Sequence, residues 1–256
     1  ATENLFHPFQ PFILGQKQLA PKIAAKFGIP LVFYGENEAE FGNPIADNES
    51  ALRDEHFFAV HDYDHIYLGG VSLRQLEEDF GIDKADLALY LPGETSDIEK
   101  NHIQVRYLGY YERWHPQGAY YYAVEHGGFV PSPERTAGTY SKYNSIDDKV
   151  DDFFYYTTYI KYGIGRCTYD AAQEIRNGEI TREEAVALCK KYDGEFPARF
   201  ADEFFRYISI DKAHFGKAAG CFEQPEMDLA YFMHLADRFR SPHLWQYQDG
   251  VWSLRH

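Results

Sequence analysis

Between residues 11 and 34 a helical pattern gives way, across Gly28-Ile29-Pro30, to the four-residue apolar strand Leu31–Tyr34. Leu19, Ile23, Ala24 and Phe27 recur at helical spacing, so the segment 11–28 reads as a helix. Lys22 and Lys26 lie in its final turns and Gly28 supplies the stop. Pro21 is expected to bound or kink this helix, because it lacks an N–H. Helix, tight turn and strand together make half of a βαβ unit, which points to an α/β fold with a parallel sheet. The strand runs straight into Gly35-Glu36-Asn37-Glu38-Ala39-Glu40. In open α/β sheets ligands bind beyond the carboxyl ends of the strands, so this acidic segment stands where chemistry is expected.

The remaining pattern changes character along the chain. Ser72 opens a helix over 73–80, with Gln75 completing a capping box and Gly81 as the stop. A short helix is expected over 84–90, ended by Pro92, and a strand over Ile103–Tyr107. Residues 43–70 read as turn-rich with little regular structure, residues 110–126 as helical with a break near Pro116, and residues 127–150 as a long loop. Loops of that length are commonly functional or disordered. After Asp147 the segments 148–162, 168–177, 181–192, 198–208 and 226–239 all read as helices.

Composition removes several classes of function. A net charge of −15 argues against a general nucleic-acid binder and against docking on anionic lipid. No apolar run approaches the roughly 18 residues of a membrane span. Cys167, Cys189 and Cys221 are odd in number and widely spaced, which supports neither a disulfide framework nor a zinc site. Free thiols in a reducing cytosol are the simplest expectation. The 21 tyrosines suit either walls around a polar ligand or an aromatic core with tyrosines at its rim.

Several clusters carry possible chemistry, and each has a plain structural alternative. The carboxylates after Gly35 offer oxygen ligands for Mg²⁺ and Asn37 offers both a donor and an acceptor; the alternative is a solvated acidic start to the next helix. The loop from Thr136 to Lys149 brings Tyr140, Ser141, Lys142, Asp147 and Asp148 together. A lysine beside Ser and Gly suits phosphate or carboxylate, while a solvated linker with a helix cap is the alternative. In Gly163-Ile-Gly-Arg166-Cys-Thr168, Thr168 is expected to cap the next helix. The helix N-terminus and Arg166 would then hold an anion, or Arg166 would form a salt bridge in an interhelical turn. Cys167 has no neighbouring His to support it as a nucleophile. His61, Asp64 and His65 would suit a metal-dependent hydrolase, but His and Asp alternating in a loop are more often surface residues. Leu68-Gly-Gly-Val-Ser72 lacks the lysine of a phosphate-cradling loop and reads as a turn into a capped helix. The tail from Arg238 to Trp245, with Trp252, is expected to pack aromatics over the domain and bring Arg240 close to His243.

The stretches NLFHPFQPFILGQK, IPLVFYGENEAEFGNP, GTYSKYNSIDDKVDDF, YIKYGIGRCTYDAAQEIRNGEITREEAVALCKKYDGEFP and RSPHLW resemble the N-acetyl sugar amidotransferases. These are a branch of the PP-loop ATP pyrophosphatases used in bacterial surface-sugar biosynthesis, including lipopolysaccharide and O-antigen. The resemblance implies a partial parallel sheet of a PP-loop domain over residues 1–147 and a mostly α-helical substrate or partner domain over 148–256. It implies a synthetase that uses ATP and Mg²⁺ to adenylate the acetamido oxygen of a sugar. Ammonia from a glutaminase subunit, delivered through a cyclase-like conduit subunit, then displaces AMP and leaves an acetamidino group. Physically, an amide oxygen leaves only once activated, and ammonia must travel shielded from water. A cytoplasmic location goes with such chemistry.

PP-loop relatives carry a Gly-His-Asn-x-x-Asp-like segment. Gly35, Asn37 and Glu40 match its Gly, Asn and acid, and Glu36 replaces its His. The resemblance therefore implies nucleotide or metal contacts for Gly35, Asn37 and Glu40; Glu36 and Glu38 join Gly35 and Asn37 as candidate nucleotide contacts, and Glu40 is the candidate metal ligand and catalytic group. Lys142 and Arg166 are further catalytic candidates, and Tyr140, Ser141, Asp147 and Asp148 are candidate substrate contacts. The SGGxDS pyrophosphate loop of the family has no counterpart here, so the resemblance covers the C-terminal portion of such an enzyme, and this chain by itself is not expected to hydrolyse ATP. A non-catalytic module that docks a glutaminase is the alternative. In the complete enzyme, Glu40→Ala is expected to abolish amidine formation while leaving the melting temperature unchanged; normal turnover would remove Glu40 from the machinery.

Overall fold

A computed structural model of the chain describes residues 1–35 and 49–255. They form two compact units, one from Gln10–Trp114 and the other from Ala1–Phe9 with His115–His256. The expected border at 147/148 thus falls inside the second of these. The short helix α1 (Thr2–Leu5) belongs to that second unit.

The first unit opens with α2 (Gln10–Phe27), which stops at Gly28 with φ 65° and leads into β1 (Leu31–Tyr34). Pro21 neither bounds nor breaks α2; it is buried within the helix. A proline there removes the N–H that would bond the carbonyl of Lys17. The Tyr34 hydroxyl steps in, 3.4 Å from that carbonyl and 2.8 Å from the carbonyl of Gln16, to which it donates.

The chain then forms β2 (Ala59–Val60), β3 (Tyr67–Leu68) and β4 (Val71–Ser72), followed by α3 (Leu73–Phe80). Residues 43–70 read as turn-rich with little regular structure, yet the described part holds β2, β3 and a 3-10 turn at Glu55–Phe57. Gly69 and Gly70 have φ of 61° and 81°, the left-handed pair that a two-residue hairpin requires. This hairpin hands the chain to α3, whose Ser72/Gln75 capping box and left-handed Gly81 are both formed. Next come β5 (Gly93–Glu94), α4 (Thr95–Lys100) and β6 (Gln104–Tyr107). β1 pairs with β6 and β2 with β5, both parallel, so the α/β expectation holds in the form of two-stranded parallel pairs. Ala24, Phe58, Ala59, Ile98, Ile103 and Val105 make the core of this unit.

The helix expected over 84–90 is instead a series of turns. Asp83 and Asp86 each accept a hydrogen bond from the other's backbone N–H, at 3.0 and 3.3 Å. The ammonium of Lys22 takes the carbonyls of Ala88 and Leu91, at 2.5 and 2.6 Å. Within the segment the backbone closes tighter turns, from the Ala88 N–H to the Ala85 carbonyl at 3.2 Å and from the Tyr90 N–H to the Leu87 carbonyl at 2.9 Å.

The second unit contains α5 (Pro116–Gly127), α6 (Asp151–Tyr162), α7 (Arg166–Asn177), α8 (Arg182–Tyr192), α9 (Ala201–Ile208), α10 (Gly216–Ala219) and α11 (Leu229–Phe239). Pro116 starts α5 rather than breaking it, the position where its missing N–H costs nothing. His115 caps that helix through Nδ1, which accepts from the Gly118 N–H at 2.8 Å. Thr181 and Glu184 cap α8 reciprocally. The core is aromatic: Phe6 beyond α1, Phe153 and Tyr156 of α6, Phe204 of α9, and Tyr231 and Phe232 of α11 are all buried together. Phe153 stacks on Phe204 at 3.6 Å, and Phe232 meets both nearly edge-on, at 6.0 and 5.8 Å.

The tail adds a hairpin absent from the sequence expectation, β7 (Trp245–Gln248) and β8 (Val251–Leu254). Asp249 and Gly250, with φ of 52° and 80°, form its turn. Trp245 donates from Nε1 to the carbonyl of Ile160 at 2.7 Å, which anchors the hairpin to α6. The Arg240 guanidinium lies 5.2 Å from the Trp245 ring and 5.1 Å from the Trp252 ring, so the expected aromatic packing of the tail is present. Among the described residues no helix is long and apolar enough to cross a membrane.

Because Phe232 lies against five other aromatic rings of the core, Phe232→Ala should cost ~3–5 kcal/mol of stability. Chemical denaturation followed by far-UV circular dichroism checks this.

Candidate functional site

The loop between α5 and α6 has no regular secondary structure, so its polar groups must be met from elsewhere. Two carboxylates do most of this. Asp170 of α7 accepts from the Thr139 hydroxyl at 2.5 Å and from the Asn144 amide at 3.2 Å. Glu195, just after α8, accepts from the Gly138 N–H at 2.9 Å and pairs with both terminal nitrogens of Arg135 at 2.5 Å. Arg135 in turn donates to the carbonyls of Thr136 and Thr139. Within the loop, Thr136 N–H bonds the Ser141 carbonyl and Ser132 N–H bonds the Lys142 carbonyl. The loop expected from sequence is therefore present and is tied at both ends of its path.

Its outer face and the segment Glu195–Phe200 enclose a pocket of about 880 Å³. Tyr140, Lys142, Asp147 and Asp148 all line it, as does Asp152 from the first turn of α6. The Lys142 ammonium donates to the carbonyl of Pro133 at 3.2 Å. By contrast the other pocket cations face carboxylates: Arg135 faces Glu195, Arg199 faces Glu134 at 3.6 Å, and Lys149 faces Glu203 at 2.5 Å. Asp148 spends one oxygen on the Val150 N–H, 2.7 Å away, at the entry to α6. The Tyr140 hydroxyl is held protonated by burial and by the nearby Glu174 carboxylate.

Ser141 stands apart from these four: it is buried, and it is not part of the pocket lining. Arg166 also lies outside the lining. Its Nε reaches Asp170 at 3.2 Å, and its Nη1 reaches the Ser145 hydroxyl at 2.7 Å and Asp151 at 3.3 Å. The guanidinium also lies 4.3 Å from the Tyr155 ring centroid. Of the two alternatives for Arg166, the structure shows the salt bridge. The anion site at the following helix is likewise filled from within. α7 begins at Arg166 after Gly165, so Thr168 sits inside its first turn rather than at the cap. The carboxylate of Asp193 accepts there from the Thr168 N–H at 3.3 Å and from its hydroxyl at 2.5 Å. A side chain at Gly165 would meet Asp193 at 2.4 Å, so the close approach requires glycine.

Cys167 is buried, and burial together with the neighbouring Cys189 pushes its thiol up, away from nucleophilic use. Gly35 is exposed, at the carboxyl end of β1. Glu36, Asn37, Glu38 and Glu40 lie outside the described residues. Among the described residues no group of His, Cys, Asp and Glu could hold a metal, so His61, Asp64 and His65 do not form the alternative centre.

Two elements of the site were not expected from sequence. The Arg135–Glu195 pair joins residues far apart in the chain, with no local signature. Asp152 is 7% exposed and its Oδ1 has no hydrogen-bond partner among the described residues; the sequence hint is a carboxylate pair opening an apolar helix.

Residues 137–255 match a family model described as "LPS biosynthesis protein WbpG-like, C-terminal domain". This part of the chain is similar to the WbpG-like C-terminal domain. No curated protein matches the chain. The WbpG-like region holds Lys142, Asp152, Arg166 and Glu195, and with them most of the pocket wall. The match agrees with the resemblance read from the sequence: residues 137–255 are similar to the C-terminal domain of WbpG-like lipopolysaccharide biosynthesis proteins.

If Arg166 holds the domain together, Arg166→Ala leaves Asp151 and Asp170 buried without their cation, a loss of ~3–5 kcal/mol. The melting temperature should fall well below that of the wild type. A variant that melts like the wild type would return Arg166 to the list of purely catalytic candidates.

Proposed function

We propose that this chain is the C-terminal part of the synthetase component of an ATP-dependent amidotransferase, converting a sugar N-acetyl group to an acetamidino group in lipopolysaccharide biosynthesis. The WbpG-like match across the pocket-bearing region carries this reading. The pocket between the 130–149 loop and Glu195–Phe200 is the place for the acetamido sugar. Its chemistry suits one: tyrosine, carboxylates and backbone for hydroxyls and amide, with the Lys142 ammonium for an anionic group on the ligand.

Nucleotide and magnesium belong at the segment after β1. Glu36, Glu38 and Glu40 supply the oxygen donors that Mg²⁺ prefers, and Asn37 an amide able to orient a ligand. Gly35 ends a strand of a parallel pair, which suits a ligand beyond its carboxyl end. When bound, ATP with Mg²⁺ supplies the adenylyl group that turns the acetamido oxygen into a leaving group. The protein's own part is to hold the sugar still, keep water away and offset charge. Ammonia then comes from a glutaminase partner, through a conduit subunit.

The complete enzyme, given ATP, Mg²⁺, ammonium and an N-acetylated sugar nucleotide, should yield a product lighter by the difference between oxygen and NH in mass spectrometry. Lys142→Met should raise KM for the sugar about tenfold, the equivalent of ~1.4 kcal/mol of lost binding, with little change in kcat. An unchanged KM would separate this pocket from the sugar.

A further inference from the structure

Asp152 is the one pocket residue that is both more than nine-tenths buried and left with an oxygen lacking any hydrogen-bond partner. A buried acceptor without a donor costs on the order of 1–3 kcal/mol, and native proteins seldom leave one without a use. The neighbouring donors are engaged elsewhere. Arg166 is spent on Asp151, Asp170 and Ser145, Arg135 on Glu195, and Arg199 on Glu134. Among the described residues nothing donates to Asp152 Oδ1, yet the residue lies on the pocket wall.

We propose that Asp152 reads the ligand: its carboxylate accepts a hydrogen bond from an O–H or N–H of the amide-bearing sugar in this pocket. This rests on the sugar reading of the pocket and adds the residue that discriminates within it. A site built around such an acceptor rejects analogues lacking the donor, because the buried oxygen is then stranded.

The surroundings of Asp152 give this role a pH signature. Burial, and after it the charge of Asp151 on the same helix, push its carboxyl up to about 7. Arg166 from α7 and Arg199 beyond α8 act in the opposite direction, and Glu195 adds to the rise. Asp147 and Lys149 lie on the loop side of the same pocket. A ligand that donates to Asp152 favours the ionised form, so affinity should be full above pH 7 and fall as pH drops below it.

The test uses the full chain with three neutral probes: N-acetylglucosamine, N-acetylmannosamine and N-acetylgalactosamine, none of which titrates in this range. Binding is followed by amide chemical shifts of the pocket residues. At least one probe should bind at pH 8 and bind about tenfold more weakly at pH 6, as a single group of pKa near 7 dictates. Asp152→Asn should melt like the wild type, bind that probe more weakly at pH 8, and lose the pH dependence. Should Asp152→Asn fail to fold, the pH series on the wild type decides alone. Binding that is flat with pH in the wild type overturns the role of Asp152 and leaves the sugar pocket standing. Binding of none of the three probes overturns both.

Discussion

A long loop that forms no ladder of its own has to borrow order from its neighbours, and here it borrows from two carboxylates. Asp170 and Glu195 take the hydrogen bonds that the segment around Thr136–Asn144 has to offer. Asp170 also shares Arg166 with Asp151, so the loop, α7 and the start of α6 meet on one buried cation. Isolated pairs of this kind add little to stability, since desolvation offsets most of the attraction. Their effect is on uniqueness: with each oxygen assigned, the loop has one low-energy path. The pocket is the empty side of that path.

This arrangement explains why two features marked as chemically interesting already have partners within the chain. Arg166 and the N-terminus of α7 look from sequence like a place for a phosphate. Asp151, Asp170 and Asp193 of the chain itself occupy the positions an anion would take. Lys142 keeps its candidacy for the opposite reason. Among the described residues no carboxylate pairs with it, and its one recorded bond is to a carbonyl.

Local signals were legible and distant ones were not. The Ser72/Gln75 box, the stop at Gly81 and the Thr181/Glu184 box each involve residues three to nine apart, and each reads directly from the letters. The segment 84–90 has helical letters, but its backbone closes three-residue turns at Ala85–Ala88 and Leu87–Tyr90, and Lys22 from another part of the chain holds the Ala88 carbonyl. The C-terminal hairpin does carry a readable signature, Asp249-Gly250 between alternating aromatic and polar residues; attention to the aromatics alone misses it. Of the site, the loop and four of its wall residues were visible in the sequence. Asp152 was not, because its importance lies in an unmatched oxygen, a property of the packing rather than of the residue type. The segment Glu36–Glu40 lies beyond the described residues, so its readings rest on sequence and resemblance.

Pro21 and Tyr34 show how a defect in one element can fasten another. The proline strips α2 of a donor and leaves a carbonyl facing the sheet; the phenol at the end of β1 closes on it and on its neighbour. Gly35 follows that phenol directly. The point from which the acidic segment departs is thus pinned to the helix by a side chain rather than by backbone pairing alone. Any drift of the strand along its own axis has to break this clasp first, which makes an interior proline a locating pin for the end of β1.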